Sequence, residues 1–193
     1  PEYVVRSAHQ IDVRAEPDIV YRTLLASDFG RNPVVIVLMA MRGIPALLRS
    51  PRRAIAAWRR APRRPQSQVT GSLLAGHFTL LDEQPPSDIT FGLTGRFWTL
   101  TGQLAPTERA GFRDPLPAGL ARAAWTLHVE PLGPGRTRLS TETRVACADA
   151  ETRRSFFRYW RVISAGSGVI RMALLRQVKR EAERQQGHPG PFQ

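Results

Sequence analysis

Polar and apolar positions alternate from the first residues. Tyr3, Val5, Ser7, His9, Ile11 and Val13 fall on one side of an extended chain, and Arg6, Gln10, Asp12 and Arg14 on the other. That spacing predicts a half-buried strand. Ala15-Glu16-Pro17-Asp18 breaks the rhythm with acidic groups and a proline suited to a first helical turn. A short helix follows through Ile19, Val20, Leu24 and Leu25. A second is expected from Asn32-Pro33, with Val34, Val35, Leu38 and Met41 apolar and Gly43 and Pro45 interrupting it.

Strand spacing returns over Leu73–Leu81 and Ile89–Trp98, joined by a turn-rich stretch from Asp82 to Asp88. Gly95 marks a bulge or bend, so either Arg96 or Trp98 can turn inward. A short strand to Gln103 and a Pro/Gly-rich loop over 105–119 come next. Ala121–Pro131 and Arg136–Cys147 then form a hairpin about Leu132-Gly133-Pro134-Gly135. A turn centred near Pro134 puts Trp125, Leu127 and Val129 on one face with Thr143, Thr141 and Leu139. Thr126, His128 and Glu130 share the other face with Glu142, Ser140 and Arg138. The first face is the more apolar and should point inward.

From Asp149 the period changes to that of a helix. Phe156, Tyr159, Trp160, Ile163, Ser167, Ile170, Leu174 and Val178 fall in one stripe about 100° wide. Arg154, Arg158, Arg161, Arg176 and Lys179 lie on the far side. Asp149 is a candidate N-cap, and Gly166 and Gly168 are expected to weaken the helix midway. The pattern predicts one α+β domain over 1–184, with an Arg/Pro-rich excursion at 49–65 and a flexible tail at 185–193. A curved antiparallel sheet would wrap a long C-terminal helix, with two shorter helices after the first strand.

This order resembles the START-related superfamily of polyketide cyclases and lipid-transfer proteins (SRPBCC). Ile11 to Tyr21 is similar to its first strand and short helix. Trp125 to Val145 is similar to its penultimate strands, and Phe156 to Leu175 to its gripping helix. The resemblance implies a helix-grip fold with a cavity. It implies no particular reaction and supplies no catalytic residues, and the Arg-rich excursion departs from a minimal member.

Composition adds restraint. The chain has 193 residues and a net charge of +12, with 28 basic residues that are all Arg except Lys179. Together with much Ala, Gly and Pro, this bias suits a GC-rich coding sequence and is weak evidence for an anionic partner. The single cysteine, Cys147, excludes an internal disulfide and reads as a small buried hydrophobe. The opening strand pattern is not that of a leader, and Val34–Met41 is too short to span a bilayer. The expected location is the cytoplasm, peripheral to the membrane on the second reading below.

No cofactor or metal site is expected, since His9, His77, His128 and His188 lack metal-ligand spacing. His9 stands on an otherwise apolar face, as a satisfied core histidine or as a ligand-binding or basic group. Phe78, Phe91, Phe97, Trp98, Trp125, Tyr159 and Ile163 are core residues taken singly and a cavity lining taken together. Thr141, Thr143 and Tyr159 would supply uncharged polar contacts. The leading reading is binding of a hydrophobic or amphipathic small molecule between sheet and helix. A cyclase- or hydrolase-type enzyme in the same cavity is its rival, with His9 and Tyr159 as the one candidate pair. A second reading rests residues 34–64 on an anionic membrane surface. Nucleic acid is disfavoured because the arginines are scattered and no binding motif occurs.

Overall fold

A computed structural model describes residues 3–28, 78–99 and 103–187. The second short helix expected from Asn32, the excursion at 49–65, the start of the strand expected from Leu73, His77, His188 and the end of the tail lie outside those residues. Six strands form one curved antiparallel sheet: β1 (Val5–Val13), β2 (Thr79–Gln84), β3 (Asp88–Arg96), β4 (Gln103–Ala105), β5 (Ala121–Gly133) and β6 (Arg136–Cys147). Their order is β1-β6-β5-β3-β2, with β4 paired to β3. Among the described residues two α-helices accompany the sheet, α1 (Pro17–Ala26) and α2 (Ala150–Gly187). This is the helix-grip arrangement.

The hairpin has the register that its alternation predicts. Trp125 faces Thr143, Leu127 faces Thr141 and Val129 faces Leu139. β1 docks on the free edge of β6, with Ser7 opposite Thr143 and His9 opposite Thr141. On the other side β3 pairs Phe91 with Trp125 and Ile89 with Leu127. Two transverse rows result on the inner face. One runs Ser7, Thr143, Trp125, Phe91; the other runs His9, Thr141, Leu127, Ile89. Each is polar at the β1/β6 end and apolar toward β3.

Around Gly95 the ambiguity resolves in favour of Trp98, which is buried, while Arg96 stays exposed and donates from Nε to the Gly119 carbonyl at 3.0 Å. Gly95 has φ +149°, and a Cβ there would meet the Gln103 carbonyl oxygen at 2.4 Å. Glycine therefore lets β4 approach β3. The outer sheet face carries ion pairs, among them Arg6–Glu142 at 3.0 Å and Arg144–Glu142, and a His128–Asp88 hydrogen bond at 2.7 Å. Pairs this exposed are worth little to stability.

α1 starts with Pro17 in its first turn, and Tyr21 reaches across to donate to Glu83 Oε1 on β2 at 2.8 Å. α2 is continuous through Gly166 and Gly168, reaches Gly187, and lies against β1, β6 and α1. Asp149 caps it as expected. Its carboxylate accepts from the Thr152 N–H and the Gly119 N–H, both at 2.7 Å, and from the Thr152 hydroxyl at 2.9 Å. These donors, the Thr152 amide foremost, lower the Asp149 pKa from 3.8 to about 2. The stability they contribute is complete above about pH 4 and is lost as pH falls through the folded-state value. An amide group can accept from Thr152 but offers no second acceptor for Gly119. Asp149→Asn should therefore be less stable than the parent near neutral pH. The gap should close toward about pH 2 in urea midpoints measured across that range; a constant gap would contradict the capping role.

The core is divided along α2. One apolar cluster joins Val13, Leu24, Ile89, Phe91, Leu127 and Leu139 to Leu174, Leu175, Val178 and Ala182. The other joins Val5, Trp98, Ala121 and Val145 to Phe156. Between them, from Phe157 to Ala173, no α2 side chain is fully buried. The helix is clamped at both ends and unsealed in the middle.

Candidate functional site

The unsealed section of α2 lies over the polar ends of the two rows. From β1 come Ser7 and His9, from β6 Thr143 and Thr141, and from β5 Trp125. Period-two alternation places all five on the inner face, and the strand register makes them neighbours. Thr141 is 2% exposed and accepts from the Trp125 indole N–H. His9 is half-buried, with its Nε2 edge against Gly168 of α2, where a Cβ would stand at 3.1 Å. Among the described residues its buried Nδ1 meets no hydrogen-bond partner.

Arg171 enters from the helix side. Its Nη2 donates to Thr143 Oγ1 at 2.9 Å and its Nη1 to Ser7 Oγ at 3.2 Å. Burial lowers its pKa below that of a free guanidinium, although an arginine remains charged. No carboxylate is paired with it among the described residues. Burial first, and the Arg171 charge second, lower the His9 pKa from 6.5. His9 is thus neutral near pH 7 and the seam carries one positive charge.

The pattern reading left Arg171 out, because it sits at the edge of the predicted stripe. Leu174, Leu175, Val178 and Ala182 are the buried positions in the second half of α2. At 100° per residue their centre lies roughly 50° round from that stripe, with Arg171 near its middle. The adjacent Leu174-Leu175 pair was the available signal. The same rotation corrects Lys179, expected on the far side. It is half-buried and donates to the Asp12 carbonyl at 2.6 Å and to Glu183 at 2.7 Å.

The predicted site residues divide among three places. His9, Thr141, Thr143 and Trp125 meet beneath α2. Phe78 and Phe91 flank Trp125 with ring centroids at 6.3 and 6.1 Å, and Phe91 is wholly buried in the first cluster. Phe97, Trp98 and Tyr159 belong to the second cluster around Phe156, where the Trp98 indole donates to Ser155 Oγ at 3.1 Å. Ile163 lies half-buried on the unsealed section. His9 and Tyr159 are not a pair. His9 abuts Gly168, nine residues beyond Tyr159 and so about 13 Å along the helix axis. Helical side chains also tilt toward the N-terminus, which carries Tyr159 further off. The general-base arrangement built on those two groups fails.

Among the described residues, the void beneath α2 is about 10 Å³, lined by Leu24, Trp125, Leu127, Thr141, Arg171, Leu174, Leu175 and Val178. That is room for about one water molecule. A groove of about 520 Å³ between the end of α1 and α2 is lined by polar and charged groups such as Gln177, Arg180, Glu181 and Arg184, and lacks aromatic walls. Cys147 has its thiol pushed up to about 11, by burial and then by Asp149, which disfavours the thiolate that nucleophilic chemistry needs. No cluster of metal-ligating side chains occurs among the described residues, and no described helix is long and apolar enough to cross a membrane.

The chain is therefore an α+β helix-grip domain with a polar seam between its sheet and its terminal helix. No family model and no curated sequence matches it. Among solved structures it is similar to a conserved protein from Geobacillus kaustophilus, at 10% identity and a TM-score of 0.44 over 94% of this chain and 97% of that one. It is also similar to the di-domain ARO/CYC BexL of the BE-7585A biosynthetic pathway, at 14% identity and a TM-score of 0.38, over 94% of this chain and 47% of that one. The Zhui aromatase/cyclase from Streptomyces sp. R1128 aligns at 14% identity and a TM-score of 0.33, over 94% of both chains.

Proposed function

We propose that the protein binds an apolar or amphipathic small molecule along the unsealed section of α2, on the side facing Trp125. The observation that supports this most is the divided core. Two apolar clusters hold the ends of the helix; between them Ile163 stays half-buried, and Trp125 and Ile170, at the rim of the first cluster, are only partly buried beside polar groups. A helix laid down only for stability would seal that section, because burial is worth roughly 25 cal/mol per Å² of apolar surface. The one-water void holds no ligand as it stands, so the body of the molecule lies in the seam itself, against Trp125 and Phe78. Recognition is mostly burial, with Thr141 and Thr143 fixing orientation. Docking on an anionic membrane through residues 34–64 concerns residues outside those described, and no described residue favours it.

The test uses an uncharged probe, the methyl ester of cis-parinaric acid, whose fluorescence rises on burial. The full chain should bind it saturably, at one molecule per chain by native mass spectrometry. Trp125→Leu removes roughly 60 Å² of contact, or about 1.5 kcal/mol, and should weaken binding about tenfold. Absence of saturable binding by the unaltered protein would sink the proposal.

A further inference from the structure

We infer that the ligand of this seam is an apolar monocarboxylic acid whose carboxylate docks on Arg171 beside His9 and Thr143. This rests on the small-molecule reading above and assigns its head group.

Arg171 is a cation with no counter-ion among the described residues. A charge taken out of water is costly unless an opposite charge or a full set of hydrogen bonds meets it. Arg171 has five N–H donors, and two are used, on Ser7 and Thr143, among the described residues. Both acceptors are neutral hydroxyls. Of the 16 Asp and Glu side chains, all but Glu2 belong to the described residues, and none of those 15 pairs with Arg171.

Three further features fit an anionic oxygen at this place. His9 Nδ1 is buried beside the guanidinium without a partner among the described residues, and can donate once its proton sits there. Gly168 keeps the helix backbone close enough for His9 to remain under α2. The remaining walls, Trp125, Leu127 and Leu174, are apolar, so the group attached to the anion is apolar as well. Arg171 supplies one fixed positive charge, which a carboxylate neutralises, whereas the second charge of a phosphate monoester would need a proton taken up by His9.

The experiment compares cis-parinaric acid with its methyl ester on the full chain near pH 7.5. The acid should bind at least tenfold more tightly than the ester. Arg171→Met should abolish the preference, bringing acid and ester to the same affinity. Arg176→Met, an exposed arginine of the same helix, should keep the preference. Equal binding of acid and ester by the unaltered protein overturns the assignment while leaving the small-molecule reading intact. So does a preference that survives Arg171→Met, or one lost equally in Arg176→Met, which would trace it to overall positive charge. Failure of both probes to bind overturns the reading and the inference together. If Arg171→Met does not fold, the acid-to-ester ratio of the unaltered protein decides alone.

Discussion

Phe156→Ala should cost about 3–5 kcal/mol of unfolding free energy, the range for emptying a packed aromatic site. Phe156 is 1% exposed and is the only α2 aromatic so fully enclosed among the described residues. Its ring lies 5.9 Å from Trp98, 6.0 Å from Phe97 and 6.0 Å from Trp160, centroid to centroid. Three large planar neighbours, two from the turn after β3 and one from α2, cannot collapse into the space that alanine leaves. The loss should also be local. Amide exchange should quicken over the first turns of α2 and leave Leu174 to Ala182 slow, because the two clusters share no residue. A loss below about 1 kcal/mol would mean that the first clamp of the helix is not packed as described.

Phe91→Ala should have an effect of the same size, about 3–5 kcal/mol, at the other clamp. Phe91 is 0% exposed and central in the first cluster, one strand from Trp125. Its consequences differ from those of Phe156→Ala. The cavity would open directly beside Trp125 and loosen the wall of the proposed seam, so binding of the uncharged probe should weaken as well. The double variant measures the division of the core directly. If the clusters are independent, the two costs should add within about 0.5 kcal/mol. A coupling well above that would show that apolar packing runs unbroken beneath the middle of α2, which would remove the ground for the binding proposal. Urea unfolding of the four proteins supplies all the numbers needed.

Several parts of this architecture were legible in residue order alone. The Gly133 to Gly135 turn sets the hairpin register, and period-two alternation then assigns the faces of Trp125, Leu127, Thr141 and Thr143. Asp149, with Glu151 two residues on, marked the start of the last helix. The inward set of β1, with Ser7 and His9 among apolar neighbours, followed from the same alternation. These features depend on contacts between residues near in sequence, or on a backbone period that does not change with context.

What remained hidden depends on contacts across the chain. β1 pairs with β6 more than 120 positions away because the last strand leaves a free edge, and no local signal names its partner. That pairing brings Ser7 beside Thr143 and His9 beside Thr141. The proposed His9–Tyr159 pair failed for a related reason: facing the interior does not say at what height along a helix of 38 residues two groups meet.

By itself, then, the sequence determined a sheet with one apolar face, a long amphipathic terminal helix and the residue types available beneath it. The tertiary structure decided how far α2 is rotated about its own axis. That rotation is fixed by Leu175 and Ala182 packing into the cluster shared with α1 and β1, whose residues come from the opposite end of the chain. Turning the helix by half a side chain's width moves Arg171 from the rim to the interior, and a periodicity computed along one helix carries no record of what the helix will be pressed against.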